Sequence, residues 1–282
     1  MNYLSLVALV HIYRDGPQVP DGWLRTTLSE HLGGYHDGDP AAQPRAWAVG
    51  GVVGTESLVQ MRPVVRDPHG RFTEDFLRAP CQCTLGGFIA SGSARPPRFG
   101  FTRFQRWIAL VGNPGLNPAL DGDPTRHRAL REELHGGLSP IFSRSLRDGS
   151  DRELLGMSVI AKLHAATSAS KTYAPPELLR EALRSLDTPL GKPGAIDVRV
   201  SDGRCVGILQ RGGQARLIAP PPADGRRPLI DPDSAADGAH AALILLSPPG
   251  TTTPAGAKSG QAALTDEVFT VCARHPVRIG RD

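Results

Sequence analysis

Hydrophobic positions fall along this chain in three blocks of different period. The first reads as strands and turns. An apolar run from Tyr3 to Tyr13 breaks at "RDGPQVPDG". A helix is expected from Trp23 to Leu32, with Asp21 near its cap. "AWAVGGVVG" and "SLVQMRPVV" then alternate as the arms of a hairpin turning at Gly54 to Glu56, and "RFTEDFL" suits a short helix. "CTLGGFIASGSA" is a further strand, "ARPPRFGF" a loop, and Trp107 to Val111 a strand running straight into Gly-Asn-Pro-Gly.

The second block changes to helical spacing. Asp123 caps "PTRHRALREEL", with Pro124 at the first helical position, where its missing N–H costs nothing. "SPIFSRSLR" also reads as helix. "SDRELLGMSVIAKLHAAT" carries the strongest helical signature. Ser150 and Glu153 form a Ser-x-x-Glu capping box, and Leu154, Leu155, Val159 and Leu163 line one apolar face. "PPELLREALRSL" is a further helix. Strands return in the third block as "AIDVRVSD", "RCVGILQR", "QARLIAP", "AALILLS" and "EVFTVCA". Asp202-Gly203 and Gly212-Gly213 are expected to make tight hairpins. Long Pro/Gly-rich loops are expected from Pro220 to Gly238 and from Ser247 to Gly260. Hairpin-linked strands surrounding a central pair of helices predict one layered α+β domain spanning residues 1–282. They exclude the β-α-β alternation of a dinucleotide fold, and "GGFIASGSA" has the spacing of neither phosphate loop.

Composition narrows the picture a little further. The 282 residues are 40% hydrophobic, enough for a sizeable core. A net charge of +4 is spread over scattered arginines, with no basic block interleaved with aromatics, so nucleic acid is not the expected partner. The apolar run at the start is too short to span a membrane and lacks a basic flank and cleavage site, so a cytoplasmic chain with no membrane partner is expected. Of the four cysteines, Cys81 and Cys83 form a lone C-x-C with no second pair at zinc spacing, and all four are expected as free thiols. "HDGD" at His36 to Asp39 has no further ligands nearby, so no metal is expected.

The order of these motifs resembles the class II glutamine amidotransferase family of the N-terminal-nucleophile hydrolase fold, and in particular its short stand-alone members, including those of ergothioneine biosynthesis. "RAWAVGGVV" is similar to that family's "GWGVGWY"-like strand, with "SLVQMRPVV" as its hairpin partner. "FIASGSARP" stands where an Ala-His-x-Arg-type motif is found, and "ALVGNPG" where a strand ends in His-Asn-Gly. "SDRELL" stands at the Thr-Asp-Ser-Glu motif, "IDVRVSDGRCVGILQRGG" at the late hairpin, and "ALILLSPPG" at the strand ending in Ser-Glu-Pro. The likeness runs over nearly the whole chain. It implies a four-layer αββα sandwich of two stacked, mainly antiparallel sheets, and no cofactor.

In that family an N-terminal cysteine attacks the side-chain amide of glutamine, with its own α-amine as base. An Asn and a Gly form the oxyanion hole, an arginine binds the substrate carboxylate, and an aspartate binds its α-amine. Carried over position by position, the nucleophile falls on Asn2, whose carboxamide is no nucleophile, and the α-amine would belong to Met1. The arginine falls on Ser93, with Arg95 two residues on. Asn113 keeps the oxyanion position. Pro114 removes a donor there, and Gly115 can restore one. Asp151 keeps the amine-binding position, although its place in the first turn of a helix is also explained by the helix dipole. His164 reads as a structural residue of that helix. The resemblance thus implies a relative without glutaminase activity. Such a chain binds glutamine or another amino-acid-like molecule, or serves as partner subunit of a synthetase in a biosynthetic pathway. Two alternatives stand beside it: an active enzyme with a rearranged nucleophile, such as Ser5, Cys81 or Cys83, and a non-catalytic interaction module.

Overall fold

A computed structural model describes residues 4–11, 22, 25–28, 44–53, 55–63, 68–79, 81, 83–90, 101–114, 123–147, 149–167, 174–186, 196–211, 214–218, 241–247, 261–264 and 268–272. Among the described residues, twelve strands form two sheets. The larger has seven strands, taken from both ends of the sequence: β1 (Leu4–His11), β2 (Pro44–Val53), β3 (Glu56–Pro63), β4 (Cys83–Ala90), β9 (Gln214–Ile218), β10 (Ala241–Ser247) and β11 (Gln261–Leu264). Their order across the sheet is β11-β9-β10-β1-β4-β2-β3. The smaller sheet runs β12-β8-β7-β6-β5, with β5 (Phe101–Phe104), β6 (Trp107–Pro114), β7 (Ile196–Ser201), β8 (Cys205–Arg211) and β12 (Val268–Cys272). Each pairing is antiparallel.

Helices cover the outer face of each sheet, which makes the α+β sandwich four layers deep. Helix α1 (Pro68–Leu77) lies on the larger sheet. Phe72 and Phe76 press so closely on Gly86 that a Cβ there would come within 2.8 Å of Phe72. Asp75 of α1 fixes the helix at its edge by accepting from Trp47 Nε1 (3.1 Å) and pairing with Arg62 Nε (3.0 Å). On the smaller sheet lie α2 (Pro124–Gly136), α3 (Pro140–Ser145), α4 (Asp151–Thr167) and α5 (Pro176–Arg184). The apolar face read for α4 is the buried one: Leu154, Leu155, Val159 and Leu163 join Trp107, Ala109, Val111, Val198, Val200 and Leu209 of the sheet in one core. Each such leucine contributes about 1.5–3 kcal/mol by leaving water. Gly156 lets α4 settle onto β5 and β6, because a Cβ there would meet Thr102 Oγ1 at 2.7 Å.

Most of the elements stand where the hydrophobic pattern puts them. The β2–β3 hairpin, the capped helix after Asp123, the long helix α4 and the β7–β8 hairpin with Gly203 at φ +90° are as expected. Arg25 to Leu28 lie in helix with Leu28 fully buried, inside the span expected from Trp23. The long loops at 220–238 and 248–260 and the "HDGD" segment lie outside the described residues.

Three expectations change. The end of "ARPPRFGF" is not loop, because Phe101 opens strand β5, which pairs with β6 through a turn at Gln105-Arg106. Gln105 takes φ 51°, a conformation that glycine or asparagine ordinarily signals, so the turn left no mark in the sequence. Next, β8 and β9 do not form a hairpin. Arg211 ends a strand of the smaller sheet and Gln214 begins one of the larger. Lastly, the cysteines are not all free. Cys81 and Cys83 are, but Cys205 is disulfide-bonded, and Cys272 stands directly opposite it in the β8–β12 register. No described helix is long and apolar enough to cross a membrane.

Candidate functional site

The sandwich has two distinguishable ends, fixed by how the sheets stack. Gly50 of β2 lies against Ile108 at the start of β6, where a Cβ would come within 2.7 Å of Ile108 Cδ1. Gly203, in the β7–β8 turn, lies against Val52, where an added Cβ would come within 2.8 Å of Val52 Cβ. This end therefore collects the close of β2, the start of β4, the start of β6 and the β7–β8 turn. The opposite end must collect the start of β1 and close of β4 (Leu4 pairs with Ile89), the start of β2 (Pro44 with Ala90) and the close of β6 (Pro114 with Ile196). The first turn of α4 is there too, since Arg152 Nε donates to the Gly112 carbonyl at 3.1 Å.

That convergence matters because the residues singled out in the sequence belong to these element ends. Asn2 precedes β1, Ser93 and Arg95 follow β4, Asn113 lies in β6, Gly115 follows it, and Asp151 opens α4. Asn2, Ser93, Arg95 and Gly115 lie outside the described residues. Of Asn113 the backbone is described: its strand shifts register against β7 between Val111 and Pro114, as an irregularity at a proline requires.

Asp151 is described in full. Its Oδ2 bonds His127 Nε2 at 2.8 Å and its Oδ1 accepts from Arg131 Nη1. Arg131 also donates Nη2 to the Gly149 carbonyl at 2.6 Å. The carboxylate therefore ties the start of α4 to α2, in addition to any ligand it meets. His127 and Arg131 were not foreseen as its partners. Their i, i+4 spacing on α2 put them on one face, but nothing local says which carboxylate that face meets. The expected capping contact of Ser150 is present, and Glu153 reaches further. Ser150 Oγ accepts from Glu153 N at 3.3 Å, as expected. The Glu153 carboxylate also accepts from Arg147 N (2.6 Å) and Gly149 N (2.8 Å). It thereby pins the segment that carries Arg147 and Gly149 to the helix start. His164 packs edge-on against Phe104 and Phe142, a structural role as expected.

Between the sheets, β7 and β8 carry an unforeseen polar group close to the same end. The residues of β7 that face the helices are Ile196, Val198 and Val200, so Asp197 and Arg199 face the other sheet. Asp197 stands directly opposite Gln210, and its Oδ1 lies 4.0 Å from Arg199 Nε. Asp197 Oδ1 and Gln210 Oε1 are buried and accept no hydrogen bond. Burial lifts the Asp197 carboxyl to about 7, and the Arg199 charge pulls in the other direction.

The thiols lie elsewhere. Cys81 and Cys83 flank Gly51, whose Cβ would meet Cys81 Sγ at 2.6 Å, at the opposite end of the sandwich. Burial pushes the Cys81 thiol up to about 11 and the Cys83 thiol well above its ordinary range, with the Asp202 charge adding to the latter. Neither is poised as a thiolate nucleophile. Among the described residues no group of three or more His, Cys, Asp and Glu side chains could hold a metal ion.

No family model matches the chain, and no curated protein matches it. Solved structures do. A glutamine aminotransferase class-II domain protein from Silicibacter pomeroyi is 11% identical, with a TM-score of 0.44, over 92% of this chain and 98% of that one. Glutamine phosphoribosylpyrophosphate amidotransferase from B. subtilis is 9% identical, with a TM-score of 0.46, over 95% of this chain and 49% of that one. A predicted glutamine amidotransferase from Pseudomonas aeruginosa is 13% identical, with a TM-score of 0.40, over 94% and 90%.

Proposed function

We propose that this chain is a glutamine amidotransferase-like protein without N-terminal-cysteine chemistry. It binds glutamine or another amino-acid-like molecule, and acts as a ligand-binding or partner subunit, for instance beside a synthetase in a biosynthetic pathway. One observation carries the reading. The elements whose ends bear the family's site positions, β1, β4, β6 and α4, converge at one end of the sandwich, and the position that should supply the nucleophile there is Asn2. An asparagine amide can donate and accept hydrogen bonds but cannot open a covalent path through an acyl-enzyme. On the family's pattern, Asn113 and Asp151 are the positions that would contact a carbonyl and an ammonium group.

Ammonia release from glutamine, measured with the purified chain, tests the loss of chemistry, and the expected rate is background. Robust turnover overturns it. Isothermal titration with glutamine tests the ligand reading separately: heat that disappears in Asn113→Leu supports it, and absence of heat for glutamine, glutamate and asparagine alike sinks it.

A further inference from the structure

Four described strands form sheet edges, and they differ in one respect. β11, β5 and β12 have four, four and five residues. β3 has eight, paired with β2 from Glu56 to Pro63 without a bulge. Long regular edges are templates for another strand, and proteins usually blunt them with charged side chains, proline, bulges or extreme shortness. β3 is neither short nor bulged, and its charges and its proline, Glu56, Arg62 and Pro63, stand at its two ends, leaving Ser57 to Met61 uncharged. Its Leu58 is 47% exposed and Met61 59%, and Val53, just before the hairpin turn, is 40% exposed.

Which groups point off the edge can be read from two details. The Ser57 carbonyl accepts from Arg103 Nη1 of the other sheet (3.4 Å), so it faces away from β2. By alternation Val59, Met61 and position 63 face outward as well. Position 63 is proline, the residue with no N–H to offer, and it falls on an outward rung where β2 loses nothing. Both details give the same parity.

From this edge we propose that β3 joins a second copy of the chain, strand to antiparallel strand, about a two-fold axis at Val59. In that register Val59 faces its own copy, Ser57 faces the partner's Met61, and Leu58 faces the partner's Gln60. The three outward pairs, 57 with 61, 59 with 59 and 61 with 57, each exchange two backbone hydrogen bonds. The same register sets Glu56 against the partner's Arg62 at both ends, so the interface is charge-complementary with itself, as an isologous contact must be. It also places the two Leu58 side chains on the diagonal, within reach of each other across the seam. Arg62 is half exposed and holds Asp75 through Nε, which keeps its side chain over the strand. Arg103 gives up one long, exposed bond to admit the partner.

Sedimentation of the full chain tests this without reference to any ligand. The wild type is expected as a dimer. Glu56→Arg and Arg62→Glu each put like charges across both ends of the seam and are expected to weaken it by about tenfold or more. Mixing those two variants restores opposite charges at both ends, and the dimer mass is expected to return. Leu58→Lys and Met61→Lys, which change exposed positions, are expected to give folded monomers by circular dichroism, and carry the test if Arg62→Glu disturbs its bond to Asp75. A monomeric wild type overturns the proposal. So does a dimer that survives both lysine variants, or charge variants that stay monomeric when mixed.

Discussion

The two ends of this sandwich are built on opposite principles. At one, glycines bring the layers together: Gly50 on Ile108, Gly51 on Cys81 and Gly203 on Val52, each too close for a Cβ. Space is filled there, and the thiols are held neutral. At the other, charged side chains gather at the element ends, with Asp151 between His127 and Arg131, Arg152 on Gly112, and Asp197 beside Arg199. A filled end contributes rigidity, whereas an end made of polar groups and strand termini can meet a ligand. The contrast explains why the C-x-C, the most conspicuous chemistry in the sequence, lies away from the candidate site.

Adding a methyl group at the filled end should do the most damage. Gly51→Ala would meet Cys81 Sγ and the Cys83 carbonyl, both at 2.6 Å, and backbone cannot step aside cheaply. A loss of about 3 kcal/mol or more is expected in urea unfolding. A loss below about 1 kcal/mol would mean that the end is looser than described. At the polar end, Asp197 should make stability fall as pH rises. Its folded pKa, about 7, lies above the ordinary 3.8, so its contribution is full below the ordinary value and is lost as pH climbs through about 7. On the order of 2 kcal/mol should disappear between about pH 5 and pH 8, and Asp197→Asn should flatten that slope. An unchanged slope in the variant would remove Asp197 as its source.

Smaller effects probe the helices that frame the polar end. Asp151→Ala leaves His127 and Arg131 without their shared acceptor, with an expected loss of about 1–2 kcal/mol, since the cluster is only partly buried. Thermal unfolding of Asp151→Ala against His127→Ala and the double variant would show whether the pair couples; additive losses would refute the tie. Asp123→Ala removes the side chain that accepts from Thr125 N (2.8 Å) and Arg126 N (3.1 Å), and should cost about 1 kcal/mol. Gly136→Ala, with open space around it at the end of α2, should instead stabilise by about 0.5 kcal/mol. A destabilised Gly136→Ala would show an unrecognised contact on that helix.

Much of this fold was legible because its signals are local. A capping aspartate followed by proline, an apolar stripe at helical spacing, and alternation ending in Asp-Gly each act within a few residues, so the sequence by itself determined α2, α4 and the β2–β3 and β7–β8 hairpins. Tertiary structure decided the rest. Gly212-Gly213 looks like a hairpin turn, yet β9 pairs with β10 and β11. A strand's partner depends on the pairing energy of residues distant in sequence, which no local pattern carries. The β5 turn escaped notice because Gln105 adopts a glycine-like φ under constraint from the pairing on both sides. Asp197 and Arg199 resembled ordinary polar positions of an alternating strand, and only the second sheet, by covering that face, made them buried charges. Likewise the sequence placed Asp151 at a helix start, where a dipole sufficed to explain it. Only the approach of α2 could show that His127 and Arg131 hold it.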